Sequence, residues 1–419
     1  MMDSSMRPRR LIILGATGSI GVNTLDVVRH LNAAADSTGK PPIEVVGLAA
    51  GRNASLLVEQ ANRFGVCHLA VADAEAARRV QLELPHTTVL SGPDAALRLV
   101  EQVRASDLVA AIVGSAGLPA TVAAIRKGMR IGLANKETLV AAGPLVAPLV
   151  RRHGAELIPI DSEHSALFQC MECQRGADGA MNREAVRRIV LTASGGPFRT
   201  FPRPAIENAT VEQALNHPTW DMGPKITIDS ATMMNKALDI IEAHWLFDLP
   251  ASQIEVIIHP QSMVHSFVEF RDHSILAQLG PPDMRTPIQY ALTYPDRPAG
   301  CSKALDWTTL SKLDFESPDP VRFPALSLAY EVIEAGGSAG AIFNAANETA
   351  VAAFLEHRIR FGRIVELVAE ALSAVPATPI DNLETVMEGD RQARAFIHER
   401  IKRSTRVATT GRPARHQMG

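Results

Sequence analysis

The sequence predicts an α/β chain in three parts: an N-terminal doubly wound parallel sheet, a central α+β domain and a C-terminal helical bundle. Three observations predict it. Short β-branched runs alternate with amphipathic stretches over the first third. From about residue 161 the alternation gives way to runs that suit a more antiparallel sheet flanked by helices. From residue 325 onward the apolar spacing is helical.

In order, Leu11 to Leu14, Ile43 to Leu48, Leu69 to Val71, Leu108 to Val113, Ile131 to Ala134 and Glu156 to Ile160 read as strands of the first domain. Gly21 to Leu31 and Leu118 to Lys127 read as helices between them, and Ala33 to Pro42 as a loop that lengthens the first crossover. Arg187 to Ala193, Glu255 to Ile258, Met263 to Phe270 and Ser274 to Leu279 read as strands of the second domain. The Pro- and Asp-dense stretch Pro281 to Pro324 reads as a connection. Ala325 to Ala335, Ser338 to His357, Phe361 to Ser373 and Leu383 to Lys402 then read as helices, with a frayed Arg-rich tail from about Arg403. The expected boundaries are 10–160, 161–300, a linker over 301–324, and 325–403.

A length of 419 residues exceeds what one hydrophobic core usually supports. A net charge of -3 gives no electrostatic reason to expect nucleic acid, and no apolar run reaches the length of a membrane span, so a cytoplasmic chain is expected. The four cysteines Cys67, Cys170, Cys173 and Cys301 are too few and scattered to staple the chain, and reduced thiols are expected. Cys170 and Cys173 have zinc or redox spacing, but without a second pair they read as helix-borne thiols.

Gly15-Ala-Thr17-Gly18-Ser19-Ile20-Gly21 lies between the first strand and first helix, where glycines let backbone approach a pyrophosphate and helix amides face its charge. The spacing GxxGxxG departs from the commoner GxGxxG. After the second strand the chain reads Gly51-Arg52-Asn53 where an NAD site usually has an acidic residue, and a guanidinium there suits the 2′-phosphate of NADP. The first domain is therefore expected to be Rossmann-like.

Asp161-Ser162-Glu163 follows the strand ending at Ile160, and Asp239 and Glu242 lie three apart in a helical pattern. Hard oxygen ligands without a histidine or cysteine cluster point to Mg²⁺ or Mn²⁺ rather than zinc, although any one acidic pair is more often a solvated surface or a helix cap. Thr192-Ala-Ser194-Gly195-Gly196 and Asp229-Ser230-Ala-Thr-Met-Met-Asn235-Lys236 offer hydroxyls, an amide and an ammonium suited to phosphate, while Ser230 also suits a plain N-cap. His217-Pro-Thr-Trp220-Asp-Met222-Gly223 suits either a closing lid or a buried turn. His259 after an apolar strand reads first as a packed core histidine, and Asn344-Ala-Ala-Asn347-Glu348 as packing or interdomain contact.

Together with Ala134-Asn-Lys-Glu-Thr-Leu-Val, Asp161-Ser-Glu-His, Ala193-Ser-Gly-Gly-Pro-Phe-Arg and Leu279-Gly-Pro-Pro-Asp-Met-Arg-Thr-Pro, these strings resemble the 1-deoxy-D-xylulose 5-phosphate reductoisomerase family, from about residue 10 to 400. The resemblance implies a homodimer that uses NADPH and Mg²⁺, Mn²⁺ or Co²⁺ to convert a small phosphorylated sugar, 1-deoxy-D-xylulose 5-phosphate, to 2-C-methyl-D-erythritol 4-phosphate in non-mevalonate isoprenoid synthesis. By position it implies cofactor contacts at Thr17, Gly18, Ser19, Ile20, Gly51, Arg52, Asn53, Asn135, Glu137 and Gly223. Lys136 and Ser162 hold the substrate backbone in that reading, and Ser194, His217, Ser230, Asn235 and Lys236 its phosphate, under a lid bearing Trp220. Asp161, Glu163 and Asp239 are the implied metal ligands, with Asp239 also at the substrate. Lys136, Glu163, His217 and His259 are the implied catalytic residues.

One departure stands out. The family pattern has Glu where this sequence has Asp239, one methylene shorter at a metal-ligand position, with Glu242 one turn on as a stand-in. Two rival readings follow from the residues: an NADP-dependent semialdehyde or sugar dehydrogenase that does no rearrangement, its semialdehyde form disfavoured because no cysteine sits in a convincing site turn, and an NADP-sensing protein that has lost its chemistry.

Overall fold

The computed structural model describes residues 8–35, 39–176, 181–220, 222–308 and 310–410. Part of the loop expected over Ala33 to Pro42, Asp221 of the His217 loop and the tail from residue 411 lie outside the described residues. Two compact units emerge, each from two stretches of chain: residues 1–194 with 242–318, and residues 195–241 with 319–419.

The first unit holds a parallel seven-stranded sheet in the order β4-β3-β2-β1-β5-β6-β7. Its strands are β1 (Arg9–Leu14), β2 (Ile43–Ala50), β3 (His68–Val71), β4 (Thr88–Ser91), β5 (Asp107–Ala110), β6 (Arg130–Leu133) and β7 (Glu156–Pro159). The Rossmann-like sheet is as expected, and its cause is visible in β1, where Leu11, Ile12, Ile13 and Leu14 are all buried because helices cover both faces. Strand β4 was not expected: Thr88-Val-Leu-Ser offers two apolar residues on a half-exposed edge, too weak a pattern to register. The helix Arg285–Thr293 was not expected either, inside the stretch read as a connection. It places Pro287 in its first turn, where the missing N–H is harmless, and sends Ile288, Ala291 and Leu292 into the core of the parallel sheet.

The same unit carries a four-stranded sheet in the order β11-β10-β8-β9, formed by β8 (Val186–Ala193), β9 (Ile254–Ile258), β10 (Val264–Phe270) and β11 (Ile275–Leu279). Strand β10 is antiparallel to both neighbours, while β8 and β9 pair in parallel across the long excursion between them.

The second unit is helical. The helix Ala339–Leu355 is buried on nearly every side, which fits its Ala-, Ile- and Phe-rich composition and places it at the bundle's centre. The last helix, Leu383–Thr410, continues beyond Arg403, where fraying was expected. The helix Met234–Phe247 begins in the second unit's residues and ends in those of the first. All four cysteines are free thiols, and no helix among the described residues is long and apolar enough to cross a membrane.

Candidate functional site

At the carboxyl edge of the parallel sheet, β1 ends at Leu14 and the chain turns on Gly15 with φ +86°. The amides of Gly15 and Ala16 both donate to the Ala49 carbonyl, at 2.9 and 2.8 Å. A Cβ on Gly15 would lie 2.4 Å from the Ala111 carbonyl oxygen, and one on Gly21 would lie 2.4 Å from that of Gly15, so this turn excludes any side chain at either position. Thr17, Gly18, Ser19 and Ile20 form the turn and the start of the helix Ser19–Ala33, whose N-cap, Gly18, supplies no side-chain acceptor. The helix start thus offers backbone donors to an anion, at the β1/β5 switch in strand order where ligands of such sheets bind.

Gly51, Arg52 and Asn53 follow β2 and are exposed. The Arg52 side chain is 90% exposed, with only a 3.8 Å approach to Asp73, so its guanidinium projects from the end of β2. Asn53 caps the helix Ala54–Phe64 through a 3.2 Å bond from the Leu56 amide. Asn135 after β6 is fully engaged inside the protein: Nδ2 donates to the carbonyls of Ile112 and Gly114, and Oδ1 accepts from the Thr138 amide and hydroxyl. It clamps the turn after β5 to the turn after β6, with Glu137 buried beside it. Gly223, in the second unit, is the N-cap of the helix Pro224–Ala231.

Asp161 follows β7 at the same edge of the parallel sheet and opens the helix Ser162–Met171. Its Oδ2 lies 2.6 Å from Lys136 Nζ, and its Oδ1 3.3 Å from His164 Nδ1. His164 Nδ1 is also 3.4 Å from Glu242 Oε2, and the two residues are fully buried. Ligand atoms of Asp161, His164 and Glu242 lie within 4.8 Å of one another. Two carboxylates and an imidazole at that separation could hold a divalent ion. Sequence reasoning missed His164. It stands three residues after Asp161, on the same face of the helix, and that spacing was the available signal. Glu163, expected as a ligand, stands outside this cluster and accepts a 2.7 Å bond from the Ser162 hydroxyl. Asp239 lies one turn before Glu242 on the helix Met234–Phe247, fully buried, with its Oδ2 2.6 Å from Lys236 Nζ.

In the second unit, His217 Nδ1 accepts the amides of Thr219 and Trp220 at 3.1 and 2.9 Å. This fixes Nδ1 as the acceptor, so the neutral ring carries its proton on Nε2, a donor without a charge. Burial holds the His217 pKa below its ordinary value, which favours that neutral ring. Ser230 is half-buried at the end of the helix Pro224–Ala231, and Gly196 packs against it so closely that a Cβ would lie 2.5 Å from the Ser230 carbonyl oxygen. Asn235 and Lys236 occupy the first turn of the next helix.

Ser194, the last residue of the first unit's opening stretch, is half-buried just after β8. Neighbouring Thr192 spends its hydroxyl on the Val264 and His265 carbonyls. His259, expected as a catalytic histidine, is fully buried; Nδ1 donates to the Asp314 carbonyl at 2.8 Å and Nε2 accepts the Met263 amide at 3.2 Å. Both ring nitrogens are therefore occupied, and with Phe315 stacked at 4.7 Å the residue braces the turn after β9.

Comparison with known proteins places these features in a context. The 1-deoxy-D-xylulose 5-phosphate reductoisomerase family model matches residues 11–143, its C-terminal domain model 157–247, and a DXP reductoisomerase C-terminal domain model 279–396. The enzyme of that name from Chlorobium chlorochromatii is 49% identical over 389 residues, covering 92% of this chain and 98% of the relative. That from Burkholderia lata is 48% identical over 401 residues, covering 94% and 97%. Among solved structures, DOX-P reductoisomerase in complex with NADPH, fosmidomycin and magnesium matches with a TM-score of 0.87 and 39% identity, covering 94% of this chain and 98% of that one. The reductoisomerase from Zymomonas mobilis in complex with NADPH matches with a TM-score of 0.85 and 44% identity, covering 94% and 100%.

Proposed function

The chain belongs to the 1-deoxy-D-xylulose 5-phosphate reductoisomerase family, and from that premise we propose that it rearranges and reduces 1-deoxy-D-xylulose 5-phosphate to 2-C-methyl-D-erythritol 4-phosphate, using NADPH and a divalent metal ion. The observation that carries the reading is the Asp161, His164 and Glu242 cluster with Lys136, set at the same edge of the parallel sheet as the glycine turn. A rearrangement followed by reduction would use both parts, the metal ion to polarise the ketone and the nicotinamide to deliver hydride.

Thr17, Gly18, Ser19, Ile20, Gly51, Arg52, Asn53, Glu137 and Gly223 would serve the cofactor, Arg52 by facing the 2′-phosphate, with Asn135 shaping the floor beneath it. NADPH supplies the hydride. Asp161, Glu163 and Asp239 remain the ligand set implied by resemblance, with Glu242 as the stand-in already noted, and the geometry adds His164 as a candidate. A bound divalent ion supplies a Lewis acid that polarises the substrate ketone.

Lys136 balances the charge of Asp161 and places an ammonium beside the reacting oxygens; with Ser162 it would also hold the substrate backbone. Glu163 would accept or return a hydroxyl proton. Ser194, His217, Ser230, Asn235 and Lys236 would take the phosphate end, His217 through its Nε2–H, while Trp220 covers the substrate and excludes water. Grip on the remote phosphate supplies binding energy for that closure.

The test is NADPH oxidation driven by 1-deoxy-D-xylulose 5-phosphate with added Mg²⁺ or with excess chelator, beside an Asp239→Glu variant. Metal-dependent oxidation is expected from both proteins. Turnover that survives chelation would favour the dehydrogenase reading, and silence in the native chain with activity in the variant would locate a defect at Asp239. We propose further that the enzyme is a cytoplasmic homodimer and accepts Mn²⁺ or Co²⁺. Support for self-association comes from edge strand β11, which leaves Ile275 58% and Leu276 41% exposed. Sedimentation at assay concentration and metal replacement after chelation check these points.

A further inference from the structure

The helix Ala339–Leu355 is built for burial, yet it carries Asn347 at 0% exposure. Asn347 Nδ2 donates a 2.8 Å bond to Asp229 Oδ1, while its own Oδ1 has no hydrogen-bond partner among the described residues. A buried carbonyl without a partner is destabilising, and leucine would fill the space without that penalty. What asparagine supplies and leucine cannot is the N–H aimed at the carboxylate.

Asp229 is itself 1% exposed. Its other oxygen lies 2.9 Å from Lys225 Nζ, an ion pair rather than an aligned hydrogen bond, one turn earlier on the same helix. Lys225 steadies the carboxylate along its own helix; Asn347 alone of the two ties it to the bundle. The next residue is Ser230, whose carbonyl accepts the Met233 amide at 3.1 Å and packs on Gly196. The backbone at Ser230 is thus held on one side by Gly196 and on the other by the anchored carboxylate.

We propose that Asn347 is a positioning residue for the substrate's phosphate: by orienting the Asp229 carboxylate it sets the turn that presents the Ser230 hydroxyl. The inference rests on the reading above that Ser230 holds phosphate, and its test separates the two. Steady-state constants for 1-deoxy-D-xylulose 5-phosphate and NADPH, and competitive inhibition by inorganic phosphate, are measured for Asn347→Leu, Asn347→Asp and Ser230→Ala in the full chain with Mg²⁺.

Loss of one hydrogen bond to a buried charge predicts that Asn347→Leu raises both the sugar-phosphate KM and the phosphate inhibition constant about tenfold, with the NADPH KM within about twofold. In Asn347→Asp two buried carboxylates face each other, and a proton shared between them restores the contact. The phosphate grip of that variant, taken as a ratio to that of the native chain at each pH, is therefore expected to recover as pH falls, a readout that plain loss of packing does not move and that remains if the leucine variant fails to fold. Weak phosphate binding in Ser230→Ala but native values in both Asn347 variants would overturn the positioning role and leave the Ser230 reading intact. Native phosphate binding in Ser230→Ala would overturn both.

Discussion

The proposed cofactor end and the proposed metal end of the first unit stand on the same sheet edge and are made of opposite materials. The cofactor end is backbone: a glycine turn, an uncapped helix start and one guanidinium 90% exposed. The metal end is side chain: Lys136, Asp161, His164 and Glu242, drawn from three segments and mostly withdrawn from water. Backbone dipoles present charge without a desolvation cost and tolerate an open surface. Clustered carboxylates need a cation nearby, and Lys136 supplies one to Asp161.

The largest expected effects fall at the metal end. Asp161→Asn and Glu242→Gln are each predicted to lower metal-dependent turnover by about 10³-fold, the order expected for losing several kcal/mol of Lewis-acid stabilisation. The NADPH dissociation constant, read by fluorescence titration, is predicted to stay within about threefold of native. Equal loss of both properties would break the separation of the two ends. A Glu242→Gln variant with native metal affinity would remove that residue from the ligand set.

Next in size is Gly21→Ala. The added methyl must displace the Gly15 carbonyl, so weakened NADPH binding and a lowered melting temperature are expected together. Arg52→Ala follows, at about tenfold in the NADPH KM with little change in the KM for NADH, because only the former carries the 2′-phosphate. A parallel rise for NADH would move Arg52 away from the phosphate and leave it as an exposed surface charge.

This division also explains what was legible in the sequence. Gly15, Gly18 and Gly21 announce a turn through local backbone constraint, which adjacent letters encode. The buried strand β1 and the helix Ala325–Ala335 were readable for the same reason, since their periodicity is local. The meeting of His164 with Glu242 joins residues far apart in the chain, and no spacing rule carries that. Nor does local pattern say that both nitrogens of His259 are taken by Asp314 and Met263, or that Pro287 begins a helix that docks on the parallel sheet. The carboxylates after the strand ending at Ile160 already marked Asp161, but only the fold reveals that Lys136 lies against it.

The smallest effect expected concerns pH and the second unit. His217 holds its pKa below the ordinary 6.5 because it is partly buried, so in the unfolded chain it takes a proton at a higher pH than in the folded one. Between those two values the unfolded state binds more protons. The contribution of this residue to stability is therefore complete above the unfolded value and declines as pH falls through the window beneath it. His217→Gln keeps a neutral donor but cannot titrate. Its melting temperature is predicted to fall less than that of the native chain as the buffer is taken from neutral to mildly acidic, with the two curves parallel above neutrality. If the native and variant curves stay parallel throughout, His217 is protonated as readily folded as unfolded, and burial does not bias its ring toward the neutral form.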